Sequence, residues 1–147
     1  MSIEDKIFED LKAAMKAKDS LKVGTLRMVR AQFKDAQIAK REPLNDDEQL
    51  AVLGNAAKRR REALEMYKNS GRDDLIQKEQ AELDIISVYL PKQLSREEIE
   101  KVLKDIIKKT DVSSMQDLGK VMGPAMQQLR GKADGKLVQQ LVREILS

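Results

Sequence analysis

Residues 118–138 read LGKVMGPAMQQLRGKADGKLV. Apolar residues Met115, Leu118, Met122, Met126 and Leu129 recur every three or four positions through it, the period of one helix face. The stretch holds Gly119, Gly123, Gly131 and Gly135, four of the chain's seven glycines, and Pro124, one of its three prolines. Gly119 and Gly123 lie one turn apart and predict a close helix contact. Pro124 cannot donate a helix hydrogen bond, so it predicts a kink or a second short helix after Gly123. The periodicity stops at Gly131-Lys132-Ala133-Asp134-Gly135. Asp134 is then placed to cap a last helix whose face is Leu137, Val138, Leu141, Val142 and Ile145.

The same period runs back to the N-terminus. Ile3, Ile7, Leu11 and Met15 predict a helix over residues 3–18, with Ser2 as its cap. Asp19 or Ser20 interrupts, and Leu26, Val29, Phe33 and Ala36 form the next face, which Pro43 ends. Asn45 and Glu48 make a capping box for a third helix, whose seam is Leu50, Leu53, Ala57, Arg60, Leu64 and Tyr67. Gly71 predicts a stop and Asp73 a new cap. A fourth helix carries Ile76, Glu79, Leu83, Ile86 and Leu90. Pro91 biases Leu90 out of helical geometry and marks a domain boundary. Beyond it, Ser95 and Glu98 box the start of a helix with Ile99, Val102, Leu103 and Ile106 inward. Ser114 and Asp117 are placed to cap the helix of the opening stretch. The pattern predicts an all-α protein: residues 1–91 as about four helices in hairpin arrangement, residues 92–147 as a small three-helix bundle.

Composition narrows the function. The chain of 147 residues has no histidine and no cysteine. That removes the commonest general base, the commonest metal ligands and any disulfide. No serine sits in a nucleophile elbow and no phosphate-loop or dinucleotide fingerprint is present. Neighbouring carboxylates such as Asp46-Asp47 and Asp73-Asp74 read as helix-start charges. No catalytic residue, metal or cofactor is therefore expected. No apolar run reaches the roughly 20 residues a membrane span needs. The N-terminus is acidic and amphipathic, unlike a signal peptide. A cytoplasmic protein is the expectation.

Net charge is +3. Residues 1–91 carry 17 basic and 17 acidic side chains, and residues 92–147 carry 11 and 8. The excess thus lies in the C-terminal part, where Arg130, Lys132 and Lys136 cluster at a helix start that also favours anions. Lys120 and Arg143 could flank this candidate phosphate site. Asp134 opposes it, because its carboxylate occupies the same helix start. Arg27, Arg30, Lys34 and Arg41 form a second basic line. Lys58 to Arg61 is the densest basic run, but four consecutive helical residues point all round the helix. Folding the third and fourth helices about residue 71 places Arg60 opposite Glu82 and within about one turn of Glu79. A partly buried ion pair with one of them is expected. Aromatics are few and fall mostly at core positions, so any RNA bound would be held by backbone and shape.

These residues bring a family into view. Thr25-Leu26-Arg27, Lys58 with Arg60 and Arg61, Gly71-Arg72-Asp73-Asp74-Leu75 followed by Lys78-Glu79, Tyr89-Leu90-Pro91 and the final GKVM…GKADGKLV resemble the YqeY family over nearly the whole chain. Residues 92–147 also resemble the tail domain of the B subunit of the tRNA-dependent amidotransferase. The resemblance implies an all-α fold and a link to tRNA. It does not imply amidotransfer, because the catalytic body of that enzyme is missing from this chain. The carry-over falls on Gly119, Met122, Gly131, Lys132, Ala133, Gly135 and Val138, of which Lys132 is the evident phosphate contact. The favoured expectation is a non-catalytic module binding tRNA, or a tRNA-processing complex, through the C-terminal bundle. The alternative is a protein-interaction adaptor. The sequence sets no oligomeric state.

Overall fold

The computed structural model describes all 147 residues. They form seven α-helices, one short 3-10 turn and no strand, an all-α fold. The chain divides into two compact units, Met1–Leu90 and Pro91–Ser147.

The first unit is built from α1 (Ile3–Ala17), α2 (Ser20–Lys40), α3 (Asp46–Tyr67) and α4 (Asp73–Ser87). Each of the first three starts where a side chain can accept orphan N–H groups. Ser2 and Asp5 exchange hydrogen bonds of 3.1 and 3.2 Å. Asp19 accepts from the Lys22 amide at 3.2 Å. Asn45 and Glu48 form a reciprocal box at 2.8 and 3.0 Å. Ile7, Leu11, Leu26, Val29, Phe33, Leu53, Ala56, Ala57 and Ile86 make the core. Burying those apolar surfaces, more than intrinsic propensity, holds such helices together.

Two expectations fail here for local reasons. Met15 is 49% exposed and Ala14 is buried instead. Ala14 continues the buried Ile7–Leu11 row at a three-residue step, and the chain leaves α1 through Lys18 in left-handed geometry, with the Asp19 amide closing on the Ala14 carbonyl at 3.0 Å. Asp73 is not a cap but the first residue of α4. Gly71 is left-handed at φ +75°, and the Arg72 amide donates to Ser70 Oγ at 3.1 Å, so the helix begins at that turn.

Lys40 joins the end of α2 to the start of α3. Its ammonium reaches the Glu48 carboxylate and the Pro43 carbonyl. The Lys40 bond first, and the Asn45 amide second, hold the Glu48 carboxyl below its ordinary pKa. A depressed carboxylate stabilises above its unfolded pKa and loses that contribution as pH falls through its folded one. Glu48 should therefore titrate at lower pH than an unpaired glutamate by NMR. Lys40→Ala should move its midpoint upward, and an unmoved midpoint would deny the contact.

The second unit contains α5 (Arg96–Thr110), the 3-10 turn Met115–Asp117, α6 (Leu118–Leu129) and α7 (Gly135–Leu146). Ser95 and Glu98 form the box that starts α5. Ser114 makes no side-chain cap; the 3-10 turn takes that place. The core is Ile99, Leu103, Ile106, Val112, Val121, Ala125, Leu129, Val138, Leu141 and Val142. On α6 the buried stripe is thus Val121, Ala125 and Leu129. Met122 and Met126 pack at its margin, and Met115 is 41% exposed. Helix α6 runs unbroken through Pro124. Pro124 is exposed, and so is Lys120, the residue whose carbonyl loses its helix donor. A side chain at Gly119 or Gly123 would meet nothing within 4 Å, so these glycines do not serve a close helix contact.

Candidate nucleic-acid interface

The turn between α6 and α7 is built from its backbone outward. Gly131 takes φ +76°, a left-handed position that glycine fills without strain. The Lys132 and Ala133 amides both return to the Leu129 carbonyl, at 2.9 and 3.1 Å. The segment before α5 then clamps the turn. Gln93 Nε2 donates to the Gly131 carbonyl at 2.7 Å, and the Leu94 amide donates to the Lys132 carbonyl at 2.9 Å. Pro91 lies 3.7 Å from where a Gly131 side chain would begin. Gln93 carries no helix period and no cap signature, so only the folded chain reveals this contact.

This frame brings Arg130, Lys132 and Lys136 together at one end of the α6–α7 pair. All three side chains are exposed. Lys132 borders an open hollow of about 450 Å³, with Leu94, Val102, Gln127 and Gln128 among its walls. Asp134 accepts from the Lys136 amide at 3.2 Å. Its carboxylate thus occupies the start of α7, and attraction for an anion falls to the side chains. Arg130 and Asp134 are both already engaged in contacts.

Lys120 and Arg143 stand apart from the turn. Lys120 precedes Arg130 by ten residues, about 15 Å along the helix, and its ammonium is 3.3 Å from Asp117. Arg143 lies two turns beyond Lys136 on the same side of α7, about 10 Å away. The folded chain adds a basic stripe on α5 that the charge count does not single out. Lys101, Lys104 and Lys108 follow a spacing that puts them on one face. They border a second hollow, of about 470 Å³, whose wall also includes Val102. The spacing alone contained that signal.

Arg60 of α3 is almost wholly buried, and its Nε lies 3.3 Å from Glu82 Oε2 of α4. That N–H is not aimed at the oxygen and makes no hydrogen bond, so the contact is ionic only. The other guanidinium nitrogens donate to the Ala56 carbonyl and the Met28 sulfur, each at 2.9 Å. Glu79 is half-buried one turn before Glu82. No group of three or more acidic side chains gathers to hold a metal, and no helix is long and apolar enough to cross a membrane.

Comparison with known proteins places this architecture. A family model described as Yqey-like protein matches residues 4–146. The chain is 27% identical over 141 residues to "Altered inheritance of mitochondria protein 41, mitochondrial" of Pyrenophora tritici-repentis, covering 93% of this chain and 77% of that one. It is 39% identical over 83 residues to the protein of the same name from Eremothecium gossypii, 56% of this chain and 45% of that one. It is also 51% identical over 55 residues to the E subunit of the glutamyl-tRNA(Gln) amidotransferase of Thermococcus sibiricus, 35% of this chain and 9% of that one. The expectation of a cytoplasmic protein is overturned by the fungal relatives, whose names place them in mitochondria. That expectation rested on an N-terminus unlike a signal peptide and on the lack of a long apolar run, and those features do not separate one interior compartment from another.

Proposed function

The chain belongs to the YqeY-like protein family, and from that premise we propose that it is a non-catalytic module that holds tRNA, or a tRNA-amidation complex, through the α6–α7 turn. The likeness to a component of an amidotransferase makes it a helical module related to that machinery. The carrying observation is the gathering of Arg130, Lys132 and Lys136 on a turn fixed by Gln93 and Leu94. Ordered backbone beneath long cations lowers the entropy lost when they meet phosphates. Lys120 and Arg143 extend the contact along the two helices, and Lys101, Lys104 and Lys108 add charge on α5. Residues 91–147 contain no aromatic side chain, so this surface reads phosphates and shape rather than stacked bases.

The test is binding of the full chain to total tRNA across a salt series. Lys132→Glu with Lys136→Glu should weaken binding at least about tenfold and lower the log–log salt slope by about two, one for each phosphate no longer held. Unchanged affinity would reject these contacts. Absence of wild-type binding at low salt would favour the protein adaptor.

A further inference from the structure

The first unit carries a different surface, formed where α1 and α2 lie side by side. Arg27, Arg30 and Lys34 are separated by three and four residues, so they stand on one flank of α2, and Arg41 caps its C-terminal end. All four are exposed. Along the adjoining flank of α1 run Phe8, 40% exposed, and Met15, 49% exposed. The Arg30 guanidinium lies over the Phe8 ring, 4.5 Å from its centre, and Lys12 approaches the same ring at 4.6 Å. Next to them is an open hollow of about 480 Å³, with Met15 and Arg27 in its walls and Gly24 leaving it unfilled. Two acids of α1 have partners: Glu4 accepts from Gln37 at 3.0 Å and Glu9 pairs with Lys12 at 3.1 Å.

An exposed aromatic ring costs solvation and is left outside a core that takes up Phe33 completely. It lies beside Arg27, Arg30 and Lys34, about 4.5 to 6 Å apart along the helix axis. Aromatic faces receive bases, guanidinium planes stack on them, and a cationic row tracks the backbone. We propose that the α1–α2 flank is a binding surface for unpaired RNA nucleotides, with a base stacked at Phe8 and Arg30 and the phosphates on Arg27 and Lys34. This surface lies outside the α6–α7 turn and takes a different form of RNA. It does not rest on tRNA binding there. Charge complementarity favours a polyanion, and the cation-flanked ring favours one that carries bases.

The probe is a short fluorescein-labelled oligouridine, measured by anisotropy with the full chain and compared with inorganic polyphosphate, a polyanion without bases. Phe8→Ala should weaken oligouridine binding about tenfold and leave polyphosphate binding unchanged, while Phe8→Tyr should keep both. Arg27→Glu with Arg30→Glu should weaken both probes. Lys132→Glu with Lys136→Glu should affect oligouridine and polyphosphate alike and keep the preference for a base-bearing probe that Phe8→Ala loses, which separates this surface from the α6–α7 turn. The proposal is overturned if wild type fails to bind oligouridine at low salt. It is equally overturned if Phe8→Ala, shown folded by its circular dichroism, binds oligouridine normally, or if Phe8→Tyr loses it. Loss of oligouridine binding through the α6–α7 variants alone would assign unpaired RNA to that turn instead.

Discussion

Replacing Arg60 by alanine is expected to destabilise the first unit by about 3–5 kcal/mol, the range for stripping one partner from a buried pair. Three observations set the size. The Arg60 and Glu82 side chains are 8% and 16% exposed, so water screens them little. Removing the guanidinium leaves the Glu82 carboxylate facing a dry seam between α3 and α4. It also removes the donors to the Ala56 carbonyl and the Met28 sulfur. Glu82→Ala should be severe by the same logic, because it strands a guanidinium. Exchanging both, Arg60→Met with Glu82→Leu, should recover most of the loss. The pair is imperfect, since its Nε makes no hydrogen bond, and apolar groups of similar volume often do as well as a buried ion pair. Urea unfolding of the two single variants and the double variant measures this. A single-variant loss below about 1 kcal/mol would mean that the seam admits water to both charges.

The elements legible in the sequence are those decided within four residues. Asn45 with Glu48, and Ser95 with Glu98, announce their helices because a capping box is satisfied locally. Asp134 does the same for α7. What depends on a neighbour is less legible. The apolar period of α6 is shared by the Met122–Met126 row and the Val121–Ala125–Leu129 row. Only the positions of α5 and α7 choose the second. Met15 and Ala14 present the same ambiguity at the end of α1, and packing against the core takes Ala14. Phe8 falls on the helical period too, yet it stands at the edge of the α1 stripe and remains open to solvent. Lys132 and its neighbours could be marked as a basic turn from charge alone. The clamp by Gln93 and Leu94 spans almost forty residues and leaves no local pattern.

That clamp makes the stability of the second unit a functional quantity, and Leu129→Ala is the sharpest probe of it. Leu129 is 1% exposed at the end of α6, and its carbonyl receives the amides of both Lys132 and Ala133. Truncation removes a buried side chain at the point where the turn leaves the core. Leu→Ala changes of this kind cost about 2–5 kcal/mol, more where the cavity cannot collapse. A unit of roughly sixty residues holds only about 3–9 kcal/mol in all. The substitution therefore consumes much of what keeps the second unit folded. The amides of Lys132 and Ala133 should exchange with solvent far faster than in wild type, and tRNA binding should weaken although no cation has been removed. Leu129→Met nearly conserves volume and should restore both properties. Slow amide exchange in Leu129→Ala would mean that Gln93 and Leu94 alone hold the turn. Gln93→Ala, which leaves the core intact, should then release the same two amides.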